Sequence, residues 1–210
     1  YDKALDLLEE ALQIREDLED KKSIATSLNN IGVVYQNKAE LDKALEHFER
    51  SLEISRKIGD KRGISMSLNN IGMIYRNKGE VERGLEHYKE SLEIDRKLGD
   101  KPGISMSLNN IGEVYSDKGE LDKSLEHFEE SLEIKRKLGN KRGIVMSLNN
   151  IGEANSEMKD YLDEDAGKDA LGIATDGLNW KVRFQPRGGP SYKILEMNLT
   201  TPVIELSREY

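Results

Sequence analysis

The chain has 210 residues, of which 36% are apolar and 34% charged, with no cysteine and a formal net charge of −8. Such a composition describes a soluble, surface-rich folded chain of cytoplasmic type, and it excludes disulfides, thiolate metal sites and cysteine nucleophiles. Its Lys and Arg residues are interspersed with acids rather than clustered, which argues against a nucleic-acid surface, and no apolar run approaches the roughly 20 residues that span a bilayer.

In chain order, residues 1–18 form the first predicted helix, with Leu5, Leu8 and Leu12 on one side. Asp20 is a suitable N-cap for a second helix over Lys21–Lys38, and Ala39 turns the chain into a third over Leu41–Ile58, closed by Gly59. The pattern then recurs. Asp60, Asp100 and Asn140 occupy the same cap position, Gly99 and Gly139 the same stop, and Gly79 and Gly119 the turn inside the pair. Pro102 falls in a first helical turn, where proline is tolerated.

The hexapeptide Ser-Leu-Asn-Asn-Ile-Gly begins at Ser27, Ser67, Ser107 and Ser147, a fixed spacing of 40 residues. Each unit is therefore a helix A followed by a helix B. At 100° per residue, Leu28, Ile31, Gly32 and Tyr35 share the core side of the first helix A, and Leu41, Ala44, Leu45, Phe48 and Leu52 form the matching stripe of helix B. Glycine in a helix interior costs about 1 kcal/mol, so Gly32, Gly72 and Gly112 mark close approaches of a neighbouring helix. Two lone helices cannot cover such stripes, and the units must stack.

These residues resemble the tetratricopeptide repeat family. Leu28, Ile31, Gly32, Tyr35, Ala44 and Phe48 follow its pattern, with leucine where tryptophan is usual and no proline closing helix B. The longer unit is similar to the 40-residue repeats of Leu-Gly-Asn repeat adaptors and kinesin light chains. The resemblance implies an all-α fold, a right-handed superhelical solenoid of antiparallel helix pairs over residues 1–156, acting as a scaffold for a protein or peptide partner. It comprises an unpaired B helix, three full pairs and an unpaired A helix, and so reads as a section of a longer array. The apolar end helices are expected to favour self-association.

Opposite the core, helix A presents a second stripe. It holds Thr26, Asn30, Val33 and Asn37 in the first unit, Met66, Asn70, Met73, Arg76 and Asn77 in the second, Met106, Asn110, Glu113 and Asp117 in the third, and Met146, Asn150 and Glu153 in the last. The resemblance implies that this face lines a concave groove in which Asn30, Asn70, Asn110 and Asn150 contact ligand backbone. An amide can both donate and accept, and methionine gives adaptable apolar contact. The same asparagines could instead bond only to neighbouring helices. Glu113, Asp117 and Glu153 shift the later units toward acid, so a partner with basic residues is expected there. His47, His87 and His127 lie a whole repeat apart, too far to share a metal at bonds of about 2 Å. Glu46 with Arg50 and Glu53 with Lys57 are spaced as helix-surface pairs. No cofactor or phosphate-binding motif is present, and no catalytic residue is assigned.

After residue 156 the repeat stops. Residues 157–169 read as an acidic linker helix, and residues 170–210 as a small C-terminal β-hairpin element with strands over Leu171–Thr175, Trp180–Gln185 and Tyr192–Leu199, turning at Asp176-Gly177 and Pro186–Pro190. The run Gly172–Trp180 is similar to a hairpin of restriction-endonuclease-like domains, in which the metal-binding acids lie upstream; here helical repeats stand upstream. The tail is either the remnant of such a fused domain, inactive in this chain, or a cap on the last helix.

Overall fold

Each A helix begins where a side chain takes over an orphan backbone N–H. Asp20, Asp60, Asp100 and Asn140 accept from the N–H three residues on, at 3.1, 3.2, 3.3 and 3.0 Å. Such caps stabilise a helix start by about 1 kcal/mol. The computed structural model describes residues 1–169, with side chains through residue 159, and the backbone of 174–175, 179–184 and 193–198.

Eight helices result among the described residues: α1 (Asp2–Asp17), α2 (Lys21–Asn37), α3 (Leu41–Ile58), α4 (Lys61–Asn77), α5 (Val81–Leu98), α6 (Lys101–Asp117), α7 (Leu121–Lys137) and α8 (Lys141–Asp169). The even-numbered ones are A helices and the odd-numbered ones B helices. The fold over this part is an α-solenoid in which each helix from α1 to α6 packs on the next, and Lys135 of α7 bonds to Ser147 of α8. Successive A helices α2, α4 and α6 also touch one another, whereas no Cα of α3 comes within 8 Å of α5, nor any of α5 within 8 Å of α7. The A helices therefore form the inner, concave layer and the B helices the outer, splayed one.

The core lies between the layers. Leu28, Ile31, Leu68, Ile71, Leu108 and Ile111 of the A helices are buried against Phe48, Tyr88 and Phe128 of the B helices. The helical glycines have the predicted role. A Cβ on Gly32 would stand 2.6 Å from the Phe48 ring, one on Gly72 2.8 Å from the Tyr88 ring, and one on Gly112 2.6 Å from the Phe128 ring. Leu148 shows the dependence on a partner helix, being 44% exposed where its equivalents Leu28, Leu68 and Leu108 are fully buried.

The chain forms two compact units, Tyr1–Ile151 and Gly152–Tyr210. Helix α8 runs unbroken from Lys141 to Asp169, so the boundary expected at residue 156 falls inside a helix, and the acidic segment 157–169 continues it rather than forming a separate element. No proline interrupts that stretch. In the second unit, strands β1 (Ala174–Thr175), β2 (Asn179–Phe184) and β3 (Lys193–Asn198) form an antiparallel sheet in the order β1-β2-β3, with Thr175 opposite Trp180 and Val182 opposite Leu195. The turn signals Asp176-Gly177 and Pro186–Pro190 lie outside the described residues.

Candidate functional site

The two asparagines of each Asn-Asn pair do different work. The first is buried in three of them, as Asn29, Asn69 and Asn109, and exposed in the fourth, as Asn149 of α8. Asn29 donates its amide to Ser51 of the following B helix and, at 3.0 Å, to Ser67 of the next A helix, while Ser51 donates to the Ala25 carbonyl at 2.8 Å. Asn69 repeats the arrangement with Ser91 and, at 2.9 Å, with Ser107. The second asparagine closes the ladder toward the preceding unit. Asn70 donates to the side-chain Oδ1 of Asn29 at 3.1 Å, Asn110 to that of Asn69 at 3.1 Å, and Asn150 to that of Asn109 at 3.3 Å. Buried amides and hydroxyls paid for in this way fix the register of one repeat on the next.

This settles what Asn70, Asn110 and Asn150 bond to inside the protein. Each commits an N–H to the neighbouring A helix, and Asn110 is only 9% exposed. Asn30 is exposed, for no Asn-Asn pair precedes it. Each amide still has a second N–H and a second acceptor lone pair. The spine of Asn29 and Asn69 with Ser51 and Ser91 was missed by sequence reasoning, although these serines and Ser131 recur at 40-residue spacing on an apolar stripe. In the third unit Asn109 donates to Glu113 at 2.8 Å, and Ser131 to the Ser105 backbone carbonyl.

The remaining residues expected to line a groove lie on the A helices, away from the core stripe. Val33 is 38% exposed, Met66 38%, Met106 45% and Met146 52%, whereas Met73 is partly buried between units. Asn37, Asn77 and Asp117 are exposed at the helix ends, and Glu113 is partly covered. A cation already stands beside the acids. Arg76 donates to Glu113 through Nη1 and, through its Nε–Nη2 edge, to both carboxylate oxygens of Asp117, with Nη2 3.0 Å from Oδ1. Hydrogen bonding to Asp117, helped by the charge of Glu113, holds Arg76 more firmly in its charged form. Glu113 and Asp117, where a basic group of a partner was expected, thus already have a cation of this chain beside them. Positions 37 and 41 residues apart face each other on adjacent A helices, and the arginine that satisfies the two carboxylates comes from the chain itself.

One buried position varies along the array. Helix α3 carries Ser55 there, α5 carries Asp95 and α7 carries Lys135, all largely removed from solvent. Lys135 reaches Ser147 at 2.8 Å and Asn109 at 3.3 Å, and burial lowers its pKa. Asp95 is 1% exposed; Ser65 donates to its Oδ1 at 2.5 Å, and its Oδ2 has no partner. Burial raises its pKa, with hydrogen bonds from Ser65, Ser107 and Ser91 opposing and the nearby Asp100 charge reinforcing the shift. The histidines pack against tyrosines of their own unit, His47 on Tyr35, His87 on Tyr75 and His127 on Tyr115, with centroids 5.2, 5.4 and 5.3 Å apart; the second pair is stacked at 6°, the other two tilted at 39° and 42°.

Stacked antiparallel hairpins with an inner A-helix face, joined by an asparagine–serine spine, define a helical-repeat solenoid protein. The tetratricopeptide repeat model matches residues 1–57, 63–137 and 104–164. The chain belongs to the tetratricopeptide repeat family, whose members in general bind proteins or peptides and are not enzymes. Among solved structures it is similar to BtubC (BKLC) from P. vanneervenii, at 24% identity and a TM-score of 0.67 over 80% of this chain and 70% of that one. It is similar to the apo form of RapI at 21% identity and a TM-score of 0.67, over 78% of this chain and 62% of that one. A kinesin light chain-like protein of nearly identical TPR-like repeats from Podosopora anserina aligns at 18% identity and a TM-score of 0.55, over 79% of this chain and 87% of that one. At these identities the likeness is one of fold. The chain spans 62% of the length of RapI. None of the curated protein sequences compared with it matches. No helix among the described residues is long and apolar enough to cross a membrane.

Proposed function

We propose that the array is a protein-interaction scaffold, working by binding rather than catalysis in a cytoplasmic setting, and that it seats a partner segment along the inner face of its A helices. The observation that carries this reading is the row Met66, Met106 and Met146. These residues recur at one position of three successive A helices and are 38%, 45% and 52% exposed. Apolar side chains lined up on an inner face, flanked by amides, suit an extended segment with apolar side chains. Asn30, Asn37 and Asn77 offer free edges to its backbone, and the uncommitted halves of the Asn70 and Asn150 amides add to them. Asn110 contributes less because it is nearly buried. Glu113 and Asp117 act through the Arg76 clamp, so the segment is apolar in character where the row of methionines runs, and a basic residue is not required at the third unit. Self-association through the apolar surfaces of α1 and α8 is a further reading of the same kind, motivated by exposed Leu7, Ile14, Val145 and Leu148.

The test is a peptide selected on the wild-type chain from a random library, measured by fluorescence anisotropy against a Met66→Gln, Met106→Gln, Met146→Gln variant. Loss of three methionine contacts to the bound segment should weaken binding by roughly 2–4 kcal/mol, with helicity and melting temperature retained because all three side chains are exposed in the free chain. Unchanged affinity would mean that the inner face is not the docking surface.

A further inference from the structure

The outer layer carries a feature that the inner groove does not explain. Where the B helices α5 and α7 splay apart over α6, they leave an open cleft of about 620 Å³. Its floor is Leu92 of α5 and Ile111 of α6, and His127 of α7 forms one wall. The other wall is cationic, with Lys89, Arg96 and Lys97 of α5 outnumbering one acid, Glu93. This stands out on a chain whose net charge is −8.

The cations are not equivalent. Lys97 pairs with Glu93 at 2.5 Å, and Arg96 reaches across to Glu130 of α7 at 3.0 Å. Among the described residues Lys89 has no such partner, and it is exposed. It is also the one charge inversion at its place in the repeat, since Glu9, Glu49 and Glu129 occupy the equivalent positions. The Arg–Glu bridge from one B helix to the next recurs between Arg56 and Glu90 at 3.0 Å. That bridge belongs to the repeat. Lys89 does not.

We infer that this cleft is a second binding site, and that it takes a short acidic peptide segment. A carboxylate of the segment pairs with Lys89 and is drawn in by Arg96 and Lys97. An adjacent apolar side chain rests on Leu92 and on the alkyl stems of the lysines. Lys89, Glu93 and Lys97 stand four residues apart on one face of α5, so the wall is about 12 Å long, enough for about four residues of extended chain. Pockets for small molecules are enclosed and lined mainly by apolar groups; this open trough, walled by long charged side chains, suits a chain lying across the surface. Single-stranded nucleic acid fits less well, because such sites add stacking aromatics to a continuous basic groove, and here one imidazole accompanies interspersed acids. The site is independent of the inner groove and of the methionine row.

The experiment uses the whole chain and a labelled acetyl-Gly-Asp-Leu-Asp-Gly-amide peptide, with the twin carrying Asn for both Asp as control. Fluorescence anisotropy should show saturable binding of the acidic peptide only, weakening as salt is raised. Lys89→Glu installs the residue that three other copies already carry, so the fold is kept, and it should weaken binding by about tenfold, the loss of one charge-assisted contact. The triple methionine-to-glutamine variant should bind the acidic peptide as the wild type does. Equal affinity of Lys89→Glu, equal binding of the neutral twin, or no saturable binding at millimolar peptide overturns the inference. A Lys89-dependent affinity for an oligothymidylate exceeding that for the peptide also overturns it, in favour of nucleic acid.

Discussion

Ala39 sits in the turn between α2 and α3 with φ of +58°, the left-handed conformation that Gly79 and Gly119 adopt in the later units at +80° and +70°. A side chain in that region costs about 1–2 kcal/mol, while glycine's extra freedom in the unfolded chain returns about 0.4–1 kcal/mol of the gain. The difference favours glycine. Ala39→Gly should therefore stabilise the chain by about 0.5–1 kcal/mol in urea titration, and a loss of stability would show that Ala39 makes a contact not apparent at its exposed surface. Asp95 presents the opposite case, a residue whose environment works against it. Its folded pKa is raised, chiefly by burial, so its favourable contribution is complete below the unfolded carboxyl pKa of about 4 and is lost as pH rises through the folded value. Near neutral pH the buried, half-partnered carboxylate is a cost. Asp95→Ser, which copies Ser55 of the preceding unit, should raise stability at pH 7 by about 1–3 kcal/mol and leave less change at pH 4. An equal effect at both pH values would locate the penalty in packing against Gly103 instead.

At the scale of the helix, a pair is defined by how closely its members approach. Gly112 lies under the Phe128 ring, and an added Cβ would meet ring carbons at 2.6 Å. Aromatic rings in a packed core cannot yield by that amount without moving a helix, so Gly112→Ala should destabilise by about 1–3 kcal/mol. Gly152 holds the same place in α8 and has nothing within 4 Å. Gly152→Ala should instead gain up to about 1 kcal/mol from helix propensity. Thermal melts of the two variants should move in opposite directions; movement in the same direction would mean that helix propensity, not contact with the B helix, governs these glycines. Much of this pairing was legible beforehand, because caps, stops and apolar stripes are local signals that recur every 40 residues. The unbroken course of α8 was less so, since the end of the repeat pattern marks where pairing changes and not where backbone hydrogen bonding stops.

Between the second and third units of the array, charge on the inner face is balanced from one unit to the next rather than presented to solvent. Arg76 of the second unit holds Glu113 and Asp117 of the third. Arg76→Ala should uncover both acids, and a basic peptide selected on the variant should then bind it more tightly than the wild type, by roughly fivefold or about 1 kcal/mol, with the difference vanishing at high salt. Isothermal titration would decide this, and equal binding would show that the acids stay neutralised by another cation. The repeat, its helix pairs, their caps and the buried stripe were determined by the sequence itself, because each depends on residues within a turn or two of one another or on a period that can be counted. Tertiary structure alone decided which partner each polar group of the stripe finds. Asn70 and Arg76 look outward on a helical wheel, yet one binds Asn29 of the unit before it and the other Glu113 and Asp117 of the unit after it. Those bonds join residues 37 to 41 positions apart. They exist only because stacking brings successive A helices into contact, and a periodicity within one helix carries no record of its neighbour's distance.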